Sequence, residues 1–399
     1  MNKEIQVMIK SKFVKKFKQG YPLLFQDSIA NPHVLQKEGE VIRLIDEQRN
    51  FIGKGYFGKQ NKGFGWVLTT NENEQLDQAL FERKLSLAVK KRKKFFDDKD
   101  TTAFRLFNGE GDGIGGLTID HFEGYYVITW YSEGIYKFKE EILKSVSNVV
   151  DYKGIYQKKR FAGKGQYIEE DDFVMGEQAE FPLIVKENGI KFATYLNDGA
   201  MVGVFLDQRE VRKRIRDYYA NGKSVLNTFS YTGAFSVAAA LGGATKTTSV
   251  DVAKRSLSKT IEQFSVNEID YESQQIIVED VFQYYKYAGK KHHKFDMVIL
   301  DPPSFARTKK TTFSAAKDYP KLLAQSIDLT NDNGVIVAST NCSAFDMKKF
   351  KAFIQQAFKS RNKKYSILEE YSLPEDFRTI PQYKEGDYLK VVFIKVQKG

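Results

Sequence analysis

The chain has 399 residues, which at roughly 150 residues per domain makes two or three domains. It holds 62 Lys and Arg against 51 Asp and Glu, a formal charge of +11, and 42% of its residues are apolar, enough for ordinary globular cores. A basic excess of that size favours an anionic partner, nucleic acid above all, although a Lys-rich proteome yields the same balance. The single cysteine, Cys342, excludes an intramolecular disulfide and fits a reducing compartment. The opening Met1-Asn2-Lys3-Glu4-Ile5 has no apolar signal core. No apolar run approaches the roughly 18 residues a membrane span needs, so no membrane is expected and the cytoplasm is the default.

Residues 1–70 read as short strands and turns, a small β module. Glu40 to Asp46 alternates as a half-buried strand does, and Phe51 to Gly58 is a second strand with glycine punctuation. The opening of this module is basic, with Lys10, Lys12, Lys15, Lys16 and Lys18. From Asn71 the pattern turns helical. Glu74 to Phe96 is amphipathic and ends in Lys90-Lys91-Arg92-Lys93-Lys94-Phe95-Phe96. A charge run of this kind is usually a solvated helix face; with aromatics beside it, it can also grip phosphates and stack on bases. On that reading Lys15, Lys16, Lys91, Arg92 and Arg105 are the candidate nucleic-acid contacts. The glycines between Asn108 and Thr118 imitate a nucleotide loop, but they sit between two strands with no helix start behind them. They are read as a structural turn. A helix near Lys137 to Val149 and further strands complete a central α/β module over residues 71–185.

After residue 186 short β runs alternate with helical stretches. The runs are Ser224 to Asn227, Thr247 to Asp251, Gln275 to Val278, Phe295 to Leu300 and Gly334 to Thr340. This alternation implies an α/β fold with a parallel, Rossmann-like sheet covered on both faces over residues 186–399. In such sheets ligands bind beyond the carboxyl ends of the strands, so the residues just past each run are the candidates. After the first comes Asn227-Thr228-Phe229-Ser230-Tyr231-Thr232-Gly233, with Gly233 placed to let a ligand approach the backbone. A full G-x-G-x-x-G is missing, which disfavours a dinucleotide. Asp251, after the second run, is placed to accept hydrogen bonds from ribose hydroxyls. Asp280, after the third, is placed to accept from an adenine amino group, with Val281 or Phe282 packing on the ring. A lone acidic residue after a strand is more often a helix cap; the weight lies in three successive positions.

The fourth run is followed by Asp301-Pro302-Pro303-Ser304-Phe305, where two prolines stiffen a loop that presents Asp301 to a substrate. The fifth is followed by Asn341-Cys342-Ser343. A free cysteine is more often a small buried hydrophobe, but a thiol at this edge has a use. Carbon 5 of a pyrimidine is too weak a nucleophile to take a methyl group unaided. A thiolate added at C6 makes C5 enamine-like, and basic surroundings would be needed to lower the thiol's pKa. Four histidines, scattered at 33, 121, 292 and 293, form no metal pattern with one cysteine, so no metal is expected.

These residues resemble a known family. Gly203-Val204-Phe205-Leu206-Asp207-Gln208-Arg209-Glu210, Val225 to Gly233, Ser249-Val250-Asp251 and Asp301 to Phe305 together resemble the bacterial 23S rRNA large-subunit methyltransferases of the 5-methylcytosine type. The likeness runs over essentially the whole chain. Gly20-Tyr21-Pro22-Leu23-Leu24-Phe25 looks like the PUA domain of that family, and Asn108 to Asp120 like its central EEHEAR domain. The resemblance implies S-adenosylmethionine as methyl donor, with Asp207, Gln208 and Arg209 lying over it and Phe229 to Gly233 around its methionine part. It also implies that Asp251 holds the ribose, that Asp280 holds the adenine and that Cys342 is the attacking thiol. Ser304 stands where some other cytosine-5 methyltransferases carry a second cysteine.

The expected reaction is methyl transfer to C5 of an RNA cytosine flipped from its stack, with Asp301 at N3 and Cys342 adding to C6. A sister branch with similar donor motifs methylates guanine N7 with no covalent step. A non-catalytic RNA-binding or ribosome-assembly factor on the same fold is a third reading. The expected partner is 23S rRNA; monomer and homodimer are both left open.

Overall fold

The computed structural model describes residues 4–60, 63–162, 166–307 and 312–398; residues 1–3 of the opening segment lie outside it. The chain forms two compact units. The first comprises Met1–Val185, Thr194–Val202 and Glu375–Gly386, the second Lys186–Ala193, Gly203–Pro374 and Asp387–Gly399.

Two mixed sheets make up most of the first unit. In one, Ile5–Met8, Val41–Ile45, Phe51–Gln60, Gly63–Thr69 and Leu23–Phe25 pair in that spatial order. The expectation of strands and turns alone is corrected here, because Ser11–Lys18 is a helix. Phe13, Val14 and Phe17 recur at helical spacing, and Phe17 is buried in the module's core. The second sheet runs Phe173–Gly176, Gly154–Lys159, Tyr125–Trp130, Leu117–Phe122 and Ala103–Asn108. Helices Gln78–Lys91 and Lys139–Val149 pack with it, and Leu80, Phe81, Leu85, Ile142 and Val146 share one apolar cluster with its strands. The glycine-rich turn is structural, as read. A Cβ on Gly115 would fall 1.7 Å from the Trp66 ring, so only glycine permits that approach.

The second unit holds a seven-stranded sheet. Five strands are parallel: β1 (Ser224–Thr228), β2 (Lys246–Asp251), β3 (Gln275–Val278), β4 (Phe295–Leu300) and β5 (Thr330–Thr340). Two more, β6 (Tyr365–Tyr371) and β7 (Lys390–Val396), complete the order β3-β2-β1-β4-β5-β7-β6. β7 lies between β5 and β6 and is antiparallel to both, so the parallel reading is corrected at this edge. The chain reaches the outer position first and then returns, and antiparallel neighbours need no crossover helix. The covering helices are α1 (Arg209–Arg214), α2 (Ala234–Leu241), α3 (Ser256–Ser265), α4 (Val281–Lys290), α5 (Ala315–Asp328) and α6 (Met347–Ser360). Successive strand residues point to opposite faces. Leu226, Val298, Leu300, Ile336 and Ile394 pack with α4, α5 and α6, while Val225, Met297, Ile299, Val337 and Phe393 pack with α1 and α2. That two-sided burial explains why β4 and β7 read as nearly unbroken apolar runs.

Candidate active site

Because β1 to β5 are parallel, their carboxyl ends share one edge, and the candidate residues gather there. The loop after β1 is held in an unusual conformation. Phe229, Tyr231 and Gly233 have φ of 56°, 53° and 80°, and a non-glycine residue in that region costs roughly 1–3 kcal/mol. Several bonds hold the loop: Ser230 N donates to Val250 O (3.0 Å), Tyr231 N to Asp251 Oδ2 (2.8 Å) and Thr232 Oγ1 to Gly203 O (2.7 Å). Strain of this kind collects at ligand clamps. Gly233 has a nearer reason to be glycine than the expected approach of a ligand. A Cβ there would lie 2.5 Å from Thr260 Cγ2 on α3. Asn227 is 1% exposed; its Nδ2 donates to Ser236 Oγ (3.0 Å), and its Oδ1 is buried without a partner among the described residues.

The acidic residues divide their duties. Asp251 ends β2, and besides Tyr231 it accepts from Ala253 N at Oδ1 (2.9 Å). Asp280 is the N-cap of α4, with Oδ1 accepting from Phe282 N (2.9 Å) and Gln283 N (3.2 Å). The bland reading of an acid after a strand therefore holds for one of its oxygens. Val281 is 3% exposed and turned into the core, which leaves it little surface for a ring. Phe282, one step round the helix, stays half-buried beside Phe229 and Phe313.

The turn Leu206–Gln208 leads into α1. Tyr388 donates its hydroxyl to Asp207 Oδ2 (2.9 Å). Gln208 Nε2 donates to Ser339 Oγ on β5 (2.8 Å) and to Asp301 Oδ2 (3.3 Å). Arg209 is 2% exposed, with Nε donating to Glu210 Oε1 (3.2 Å). Asp301 follows β4. Burial raises its pKa to about 6, with the Asp207 carboxylate adding to the rise, while hydrogen bonds from Ser339 and Gln208 and the charge of Arg212 oppose it. Pro302 is buried and Pro303 exposed. Ser304 Oγ donates to Asn341 Oδ1 (2.6 Å), which ties the loop after β4 to the loop after β5.

Cys342 lies two residues past β5. The residue is 8% exposed and belongs to the apolar cluster beneath the edge, not to the open polar loop that its neighbours in sequence suggested. Lys390, which sequence reasoning missed, is the register partner of Thr340 at the start of β7. It is 4% exposed and donates Nζ to Tyr388 O (2.6 Å). Burial lowers its pKa, and the charges of Cys342, Asp387 and Asp346 pull the other way. A lysine opening an apolar strand was the available signal. Among the described residues no group of three His, Cys, Asp or Glu is placed to hold a metal ion, and no helix is long and apolar enough to cross a membrane.

The basic candidates belong to the first unit, and they differ sharply. Lys15, Lys16 and Lys91 are exposed. Arg92 is corrected: it is 1% exposed and donates from both terminal nitrogens to Asp112, so it has no surface for RNA. Arg105 is also drawn inward. It chelates Asp120, donates Nη1 to Asn108 Oδ1 (2.7 Å), and its guanidinium lies 4.4 Å from the Phe377 ring centroid.

Known proteins place this geometry. Residues 105–375 match the S-adenosylmethionine-dependent methyltransferase family, and residues 7–70 match a PUA-like domain. A Bacillus subtilis protein, provisionally named ribosomal RNA large subunit methyltransferase YwbD, is 60% identical over 389 residues, covering 97% of this chain and 98% of its own length. Ribosomal RNA large subunit methyltransferase I of Klebsiella pneumoniae is 29% identical over 378 residues, covering 94% of each chain. The crystal structure of SMU.776 complexed with SAH superposes with a TM-score of 0.91 at 40% identity, covering 98% of this chain and 100% of its own. The chain therefore belongs to the S-adenosylmethionine-dependent methyltransferase family, with a Rossmann-like catalytic sheet and an N-terminal PUA-like domain.

Proposed function

We propose that the chain is a cytoplasmic enzyme that methylates large-subunit ribosomal RNA, at C5 of a cytosine in 23S rRNA, through a covalent adduct on Cys342. The names of the curated relatives support the substrate class. The observation that carries the choice of atom is the adjacency of Asp301 and Cys342. They follow neighbouring parallel strands whose loops are joined by Ser304 and Asn341, with Lys390 buried at the same edge.

The residues at the edge fit the methyl donor. Asn227 offers a buried acceptor, Phe229 to Gly233 a preformed clamp, Asp251 a carboxylate for ribose hydroxyls and Asp280 its second oxygen for an adenine amino group. Asp207, Gln208 and Arg209 border the same place. Bound S-adenosylmethionine supplies an activated methyl group on sulfonium sulfur. The rest falls to the protein. The target base leaves its stack at a cost of a few kcal/mol. N3 of cytosine is an acceptor, so Asp301 must carry a proton to bond it. A pKa of about 6 keeps roughly a tenth of Asp301 protonated at neutral pH. Cys342 supplies the nucleophile, with Lys390 at the same edge. The thiolate forms a bond to C6, the C5–C6 π pair becomes a C4–C5 double bond, and the C4–N3 π pair goes onto N3, which takes the Asp301 proton. After C5 is methylated the C4–N3 double bond reforms, the C5 and N3 protons pass one to the Asp301 carboxylate and the other to a water, the C5–C6 double bond reforms and the thiolate leaves.

In this reading residues 1–70 form an RNA-binding PUA-like domain, 71–185 a central EEHEAR-like domain and 186–399 the transferase, with Lys15, Lys16 and Lys91 on the RNA. The burial of Cys342 favours a second reading, guanine-N7 methylation with a structural cysteine. Nucleoside mass spectrometry of unmodified 23S rRNA, incubated with S-adenosylmethionine and either parent or Cys342→Ala, decides. 5-Methylcytidine that disappears with the variant is expected; 7-methylguanosine from both proteins would overturn the covalent route.

A further inference from the structure

Asp301 is held by a side chain that is itself left incomplete. Gln208 is 3% exposed, and its side-chain hydrogen bonds to described residues run from Nε2, to Ser339 Oγ (2.8 Å) and Asp301 Oδ2 (3.3 Å). Its Oε1 is buried with no partner among the described residues. An unpaired buried acceptor costs stability, and a methionine of similar length would fill the same space without that cost. Stability alone therefore does not explain an amide at this position; what its N–H groups do can.

From this geometry we infer that Gln208 is a positioning residue, whose Nε2 pins the Asp301 carboxyl against the end of β5 and sets the protonation state in which Asp301 meets the target base. The inference rests on Asp301 acting as the proton donor proposed above. It departs from the role over the methyl donor that the family resemblance implies. The other groups facing Asp301 are the Asp207 carboxylate on the same turn, the Arg212 guanidinium of α1 and the Tyr319 hydroxyl of α5. Tyr319 also donates to Ser339 O (2.8 Å), so it braces the same strand end. The Gln208 bond favours ionised Asp301. Without it, burial and Asp207 are less opposed, and Asp301 should hold its proton to higher pH.

The test is a cycle of full-length parent, Gln208→Met, Asp301→Asn and the double variant. Unfolding midpoints across pH 4–8 read the Asp301 titration without any substrate. The expected result is an inflection that moves up by about one pH unit in Gln208→Met, a tenfold change in proton affinity, and no such shift in the Asp301→Asn background. In methyl transfer the larger protonated fraction of Asp301 should displace the alkaline limb upward, while the loss of the Nε2 bond that positions the carboxyl lowers kcat roughly 10- to 100-fold and leaves the KM for S-adenosylmethionine within about twofold. An unmoved inflection, with SAH binding weakened about tenfold, would make Gln208 a donor contact and overturn the inference. An unmoved inflection with unchanged kinetics would overturn it as well. A moved inflection with 7-methylguanosine as product supports the positioning role and defeats only the cytosine reading. Should Gln208→Met not fold, Gln208→Asn, which keeps the amide but shortens its reach, carries the same comparison.

Discussion

Two buried polar clusters, one in each unit, are built to different standards. In the first unit Arg92 uses every N–H it has. Nη1 and Nη2 donate to the two Asp112 oxygens (3.1 and 2.6 Å), Nη1 also to Ala88 O (3.3 Å), and Nε and Nη2 to Asp376 O (3.0 and 2.6 Å). Asp112 accepts from Asn108 N as well (2.8 Å). In the second unit Gln208 keeps an acceptor with no partner among the described residues, and burial holds the Asp301 pKa at about 6, above its ordinary 3.8. A fully satisfied cluster rigidifies a fold; an unsatisfied one beside a buried carboxyl is a place to look for something besides stability being served.

The largest effect should come from opening the satisfied cluster. Arg92→Ala leaves a buried carboxylate unpaired, and a loss of about 3–5 kcal/mol is expected. Both tryptophans, Trp66 and Trp130, belong to the first unit, so their fluorescence during urea unfolding of the full chain reads it directly. A loss below about 1 kcal/mol would place Arg92 among ordinary surface residues and erase the contrast. Asp301→Asn should do the reverse. A carboxyl whose folded pKa is raised contributes stability that is complete below its ordinary 3.8 and lost as pH rises through about 6. The asparagine cannot ionise, so relative to the parent it should gain up to about 3 kcal/mol between those values and nothing further above them. Urea midpoints of both proteins from pH 4 to 8 measure this; a difference that does not vary with pH would show that Asp301 is not strained. The smallest structural effect should follow Lys15→Ala combined with Lys16→Ala. Stability should change by roughly 0.5 kcal/mol or less, while the salt dependence of binding to a 23S rRNA fragment should lose about one unit of slope per lysine. An unchanged slope would remove these two residues from the RNA contacts.

The alternation of β runs and helices was enough to locate β1 to β5 and, through them, the edge where Asp251, Asp280, Asp301 and Cys342 gather. That is local information, because strand spacing and turn residues are written in neighbouring positions. β7 is different. Lys-Val-Val-Phe-Ile-Lys-Val is a strand by composition, but its insertion between β5 and β6 is a tertiary choice with no local mark. Lys390 reaches the thiol's edge only through that insertion. Arg92 failed for the same reason. It stands in a run of five basic residues, and the partners that bury it lie 20 and 284 positions further along the chain. The helix Ser11–Lys18 was missed because eight residues with five lysines nearby carry little apolar pattern beyond Phe13, Val14 and Phe17.

The return of Glu375–Gly386 to the first unit bears on how the protein is made. Asp376 gives Arg92 its carbonyl acceptor and gives the Arg105 backbone N–H a carboxylate (2.8 Å), yet it leaves the ribosome long after both arginines. Until then two donors of Arg92 have no protein acceptor, and the sheet strand Ala103–Asn108 lacks one of its ties. The unit that begins the chain is thus not complete until nearly all of the chain has been made, and a nascent chain halted before residue 376 holds a helix-and-sheet module whose buried arginine is still waiting for its lock.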